Sequence, residues 1–179
     1  QVYCRNATSG QVRWQFTLDG PVDSPPTWHD GKVIVGSRGG SVYALAADDG
    51  QLAWRFRAAP NNVQLMAFDR LESPWPVHGS ILVEDDRVFC VAGRSMHLDS
   101  GMIAYALAVN TVEVLQENQL TADILPKREL DGAVLPDTLV TNGTSIYIPH
   151  MQFTPDHDRQ TRCANTVDRV HPPDRYPLS

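Results

Sequence analysis

A forty-residue echo constrains this chain more than any other feature. Val2-Tyr3 returns as Val42-Tyr43, Gly10-Gln11 as Gly50-Gln51, and Trp14-Gln15-Phe16 as Trp54-Arg55-Phe56, each pair 40 residues apart. A third copy opens at Tyr105-Ala106-Leu107, 62 residues after Tyr43-Ala44-Leu45. Its extra length lies in Ala58 to Pro76 and in Arg94 to Gly101. Self-similarity at such a period marks units that stack because none can bury its apolar face alone.

Each unit reads as four short strands. In the first full copy, Pro26 to His29 leads into an Asp30-Gly31 turn and Lys32 to Gly36 follows. Ser41 to Leu45 comes after Arg38-Gly39-Gly40, and Gln51 to Phe56 closes the unit with apolar and polar residues alternating. Asp-Gly and Gly-Gly supply the positive φ that tight hairpins need. The second copy runs through His78 to Val83, Arg87 to Val91, Met102 to Ala108 and Val112 to Glu117. A further copy begins with Leu135 to Thr141 and Ser145 to His150. Short strands at near-even spacing, with no helical periodicity between them, predict an antiparallel meander.

The fold expected is therefore all-β, a partial β-propeller of four-stranded antiparallel blades. Residues 1–153 hold about three such blades, whereas closed propellers carry about 4–8. An arc leaves apolar faces bare at both ends. The missing blades are expected on a longer chain, as part of a ring of about 7 or 8, or on another protein. Thr154 to Ser179, rich in Pro, Asp and Arg, is expected to form an irregular or disordered tail.

Composition narrows the partners. A net charge of −6 over 179 residues disfavours a nucleic-acid surface. No apolar run nears the roughly 18 residues of a membrane span. The chain opens on strand-like Gln1-Val2-Tyr3 without an initiator Met, so a processing or truncation boundary is expected there. Cys4, Cys90 and Cys163 match no zinc or redox spacing; Cys4 and Cys90 sit in apolar strand patterns as small hydrophobes.

The frame Tyr43-Ala44-Leu45-Ala46-Ala47-Asp48-Asp49-Gly50-Gln51-Leu52-Ala53-Trp54 resembles the pyrrolo-quinoline quinone (PQQ)-like propeller repeat of quinoprotein dehydrogenases. The pattern of that repeat is roughly Ala-x-Asp-x-x-Thr-Gly-x-x-x-Trp. Tyr3 to Trp14 is a second copy, and the resemblance covers about Val2 to Met151. It implies docking roles for Gly10, Trp14, Ala44, Gly50 and Trp54. The glycine makes the turn between the last two strands, and the tryptophan lies flat on the neighbouring backbone. Such a ring buries on the order of 150–250 Å². Departures are Cys4 for Ala, Ala46 for Asp and, in the third copy, Val112 for Gly and Gln116 for Trp. The same repeat occurs in non-catalytic exported bacterial proteins, which the stretch Leu71 to Ser80 also resembles. The resemblance thus implies a periplasmic or extracellular location.

The family's quinone site needs a carboxylate base, calcium ligands and usually a vicinal Cys-Cys ring, and this chain has no Cys-Cys pair. The function expected is a binding or scaffold propeller with no cofactor, no catalytic residue and no metal. One alternative is a fragment of a PQQ-dependent alcohol or sugar dehydrogenase, binding PQQ with calcium. Another is a lobe serving a separate catalytic domain of a longer chain. Loops on a rigid scaffold carry function, so the two insertions hold the ligand-binding candidates: Arg70, Glu72, Trp75, His78, Arg94 and Asp99. Arg and Glu can orient a polar ligand and Trp75 can stack on one. The competing expectation is that these side chains tie the insertions down. Asp156-His157-Asp158 reads as a solvated loop, and Gly36 to Gly40 as a hairpin turn rather than a phosphate loop.

Overall fold

The computed structural model describes residues 1–67, 69–121, 138–143, 145–148 and 151–153, with backbone alone at 67 and 151–153. The described elements are all strands, and consecutive strands pair antiparallel. β1 (Val2–Arg5) pairs with β2 (Val12–Phe16). β3 (Thr27–His29), β4 (Lys32–Gly36), β5 (Ser41–Ala46) and β6 (Leu52–Arg57) form one four-stranded blade in chain order. A separate hairpin, β7 (Leu65–Ala67) with β8 (Arg70–Glu72), follows. β9 (Leu82–Glu84), β10 (Arg87–Ala92), β11 (Met102–Ala108) and β12 (Val114–Leu120) make the second whole blade. β13 (Val140–Thr141), β14 (Ile146–Ile148) and β15 (Met151–Phe153) begin the next. The architecture is a partial β-propeller of four-stranded antiparallel blades.

Three details differ from the sequence reading. The first strand of the second whole blade starts at Leu82, not His78. His78 to Ile81 instead passes the blade's edge, and the Ile81 carbonyl accepts a hydrogen bond from Thr27 Oγ1 at 2.5 Å. The last described sheet has a third strand, β15, where no pattern was legible. The first insertion also carries its own hairpin, β7–β8. The stretch 154–179, Cys163 and residues 135–137 lie outside the described residues.

The turn between the last two strands of each blade is the same structure three times over. Gly10 N donates to Asn6 O, Gly50 N to Ala46 O and Val112 N to Ala108 O, at 2.8, 2.9 and 2.9 Å. Each turn ends on a left-handed residue, with φ of 70° at Gly10, 75° at Gly50 and 62° at Val112. Each is preceded by a register shift, at Cys4/Arg5, Ala44/Leu45 and Ala106/Leu107.

Apolar faces of successive sheets bury one another. Between β1–β2 and the first whole blade lie Trp14, Phe16, Val35, Tyr43 and Leu45. Between the two whole blades lie Val42, Ala44, Trp54, Phe56, Val88, Tyr105 and Leu107. Phe89, Ala106, Met102, Ile146 and Ile148 fill the next interface. Strand alternation explains this: odd positions of β5 face back and even positions face forward.

Candidate functional site

The docking residues stand at the first two interfaces. Trp14 Nε1 donates to Ala47 O at 2.9 Å, and its ring covers Gly50, where a Cβ would come 2.6 Å from the indole. Trp54 Nε1 donates to Val109 O at 2.8 Å, the equivalent carbonyl one blade on. Ala44, fully buried, lies opposite Trp54 in the sheet register. Gly10 makes its turn with open space around it.

The two insertions meet at one rim of the arc. Gly93 N donates to Pro76 O at 3.0 Å, joining the β10–β11 hairpin to the segment that follows β8. Ser73 N donates to Arg38 O and Val77 N to Ser37 O, both at 2.9 Å, so the first insertion is also laced to the β4–β5 hairpin. The polar candidates serve this lacing. Glu72 is only 4% exposed, and its Oε2 accepts from Arg38 Nη1 at 2.9 Å. Arg38 Nε also pairs with Asp23. These two carboxylates hold the guanidinium pKa above its usual value, the Asp23 hydrogen bond contributing most. Arg94 pairs with Asp99 inside the second insertion. Trp75 is half-buried and packs against the core between the two whole blades. His78 is half-buried. Arg70 is exposed on β8. Thus Glu72, Trp75 and His78 lie along one strap, and Arg94 and Asp99 form a separate pair.

A second polar cluster was not legible from sequence. Asp19, in the link between β2 and β3, accepts from Ser37 Oγ, from Ser41 Oγ at 2.7 Å and from Arg55 Nη2 at 2.8 Å. Ser37 and Ser41 are fully buried. Arg55 also lies 5.2 Å over the Tyr43 ring, and Asp19 N donates to Tyr43 Oη at 3.3 Å. Burial, followed by the Asp19 charge, raises the Tyr43 phenol. Gly39 has no room for a side chain because the Asp19 carboxylate occupies that space. These partners come from three segments separated by up to 36 residues. Only the Ser-x-x-Gly-Ser rhythm of the hairpin hints at them.

What the rim offers outward is apolar. Met66 and Leu71 are direct cross-strand partners in β7–β8, 69% and 57% exposed. The same insertions expose Val63 and Leu98. Alternation along β8 turns Glu72 inward to Arg38 and leaves Leu71 outward.

Calcium takes about 6–8 oxygen ligands, and the rim carboxylates Asp19 and Glu72 are each held by an arginine at 2.8 and 2.9 Å. A cation would have to displace both. Among the described residues, no group of three or more His, Cys, Asp and Glu side chains could hold a metal ion.

Antiparallel meander blades, locked at the first two interfaces by an indole on the next blade's turn, are similar to the PQQ-like β-propeller repeat. Residues 1–73 match the family described as outer membrane protein assembly factor BamB. The outer membrane protein assembly factor BamB of Yersinia pestis is 40% identical over 53 residues, 30% of this chain and 14% of that protein. Its namesake from Burkholderia pseudomallei is 38% identical over 60 residues, 32% of this chain and 16% of that protein. The matches therefore span under one fifth of either relative. Among solved structures, a europium-containing methanol dehydrogenase aligns at TM-score 0.49 and 17% identity, over 65% of this chain and 21% of that one. BamB from Moraxella catarrhalis aligns at 0.35 and 14%, over 79% and 50%.

Proposed function

We propose that this chain is a binding or scaffold propeller of an exported bacterial protein, without catalysis of its own, and that it holds a protein partner at the insertion rim. The observation that carries this reading is the division of labour in β7–β8. The buried carboxylate of Glu72 is spent on internal anchoring, and the Met66–Leu71 pair is left outward beside it. A rigid hairpin presenting apolar side chains suits a protein surface, where fully desolvated apolar anchors supply most of the binding energy. The relatives' name, an outer membrane protein assembly factor, supports a protein partner and a periplasmic location. The other blades of the ring would come from the rest of a longer polypeptide or from another protein.

The test is site-specific photo-crosslinking in a producing bacterium, with the cross-linker at Met66, Leu71 or Leu98. Leu52, 47% exposed on the outer strand β6, is the control. The expected result is a discrete protein adduct from the rim positions only. M66D/L71D should abolish the Leu98 adduct with an unchanged β-sheet circular dichroism spectrum. Equal adducts from Leu52 would defeat the reading. So would a quinone absorbance shift with dye-linked alcohol oxidation after adding PQQ and calcium to the full-length protein.

A further inference from the structure

The turn of the first half-blade repeats a docking seat that is filled at the next two turns. At the first interface the Ala47 carbonyl accepts from Trp14 Nε1 at 2.9 Å, Gly50 lies under the indole, and Tyr43 packs on Phe16 with ring centroids 6.1 Å apart. At the second, the Val109 carbonyl accepts from Trp54 Nε1 at 2.8 Å, and Tyr105 meets Phe56 edge-on at 5.1 Å. The Asn6–Gly10 turn is bonded like the Ala46–Gly50 and Ala108–Val112 turns, so Ala7, Gly10 and Tyr3 stand at the same places. There the seat faces outward. A Cβ at Gly10 would meet nothing within 4 Å, whereas one at Gly50 would come 2.6 Å from the Trp14 ring. Tyr3 is 46% exposed, against 4% for Tyr43 and 7% for Tyr105. Trp28 lies opposite Val33, on the face that the first whole blade turns to β1–β2, and is 69% exposed. Ala47 N donates to Gly31 O and Val109 N to Asp86 O, in each case the inner hairpin of the same blade. Neither Ala7 N nor Ala7 O has a backbone or indole partner among the described residues.

We propose that this end of the arc is an interaction surface for a further blade of the same polypeptide, one whose outer strand carries Trp-x-Phe. The indole donates to the Ala7 carbonyl over Gly10, and the phenyl packs on Tyr3. Continuity with the two filled interfaces sets the chemistry, since both seats take an indole and a phenyl two residues apart from one strand. Chain direction sets the source. Trp14 precedes Gly50 and Trp54 precedes Val112, so the donor for Gly10 belongs one repeat, 40 residues or more, before Trp14. A second copy of this chain does not fit. Trp14 and Trp54 are engaged, Trp28 and Trp75 have no Phe two residues on, and no tryptophan follows Trp75. A docked ring of this kind buries on the order of 150–250 Å². The surface is separate from the insertion rim, and its failure leaves the rim reading untouched.

The experiment is hydroxyl-radical footprinting of the full-length protein, read by mass spectrometry. Tyr3 should be labelled as slowly as Tyr43 and Tyr105, with Tyr147, 36% exposed, as the reactive reference. G10A should raise Tyr3 labelling as G50A raises that of Tyr43, because a Cβ at either glycine displaces the indole. Should G10A fail to fold, alanine in place of the preceding tryptophan should release Tyr3 in the same way. A benzophenone side chain at Thr8, exposed in the turn, should cross-link within the same polypeptide to residues before Gln1. Tyr3 labelled as fast as Tyr147 would overturn the proposal. So would a Tyr3 that stays protected in both variants, or a Thr8 cross-link that maps to residues 1–179 or to a separate protein.

Discussion

Val112 holds the conformation that glycine holds in the other two turns. A β-branched residue at φ 62° is a steric outlier, because its Cβ crowds the following carbonyl. The strain is of the order of 1–3 kcal/mol, partly offset by the extra backbone entropy glycine would lose. V112G should therefore stabilise the protein by about 1 kcal/mol, read as a higher urea midpoint at constant slope. Trp54→Ala should cost about 3 kcal/mol, since it removes a packed ring and leaves the Val109 carbonyl without its indole donor. Gln116→Ala should cost under about 1 kcal/mol, and a loss equal to that of Trp54→Ala would contradict the docking account. Docking was legible in the sequence because tryptophan and glycine recur at a fixed offset. The Asp19 cluster was not. Aspartate, serine and arginine are common on surfaces, and only the folded chain shows that the β4–β5 hairpin, β5 and β6 converge on one carboxylate.

At the scale of the element, the insertion strap depends on Arg38. Glu72 is buried and its partner is a single guanidinium. Removing that partner leaves a buried charge, which is worse than removing both. R38M should destabilise by about 2 kcal/mol, whereas R38M/E72Q should recover a good part of it. Limited proteolysis within 61–72 gives a local readout, with cleavage fastest in R38M. Equal cleavage in both variants would mean that the pair does not hold the strap. The β7–β8 hairpin was illegible for a simple reason. Three-residue strands flanked by Asn61-Asn62 and Ser73-Pro74 carry too few alternations to separate a hairpin from a loop. Strands β4, β5, β6, β10 and β11 were read nearly to the residue, because turn glycines and aspartates bracket them, whereas β12 runs Val114–Leu120 in place of the expected Val112 to Glu117. His78 to Ile81 misled because it runs directly into the apolar Leu82-Val83, whereas the Ile81 carbonyl is bonded to Thr27 of the preceding blade.

The molecule as a whole buries two neutral acids between its whole blades. Cys90 is fully enclosed, and burial pushes its thiol to about 12 from a usual 9.0. Burial raises the Tyr105 phenol from 10.0 to about 12, with Glu117 adding to it. Both groups are raised acids, so the unfolded chain ionises first as pH climbs. Their contribution to stability is complete below 9.0 and is lost as pH rises towards about 12. The melting temperature should fall steeply across that window. Cys90→Ala, though less stable at neutral pH, should show a shallower fall, and parallel profiles would disprove the linkage.

Unequal interfaces also set how the arc comes apart. A stack of repeats behaves as a one-dimensional lattice whose cooperativity is set by nearest-neighbour couplings. Two junctions here are riveted by an indole and a ring pair, and at the third Gln116 and Asn118 stand at those register positions, with neither rivet among the described residues. The weakest coupling thus lies between β12 and β13. Native-state hydrogen exchange should find β3–β6 and β9–β12 opening as one unit, with β13 and β14 released earlier in a sub-global step. Supplying the missing indole by Q116W would raise that single coupling and merge the two steps. Gln116 and Asn118, standing where the preceding blades carry Trp and Phe, are therefore a fracture line, placed where a repeating structure would otherwise have none.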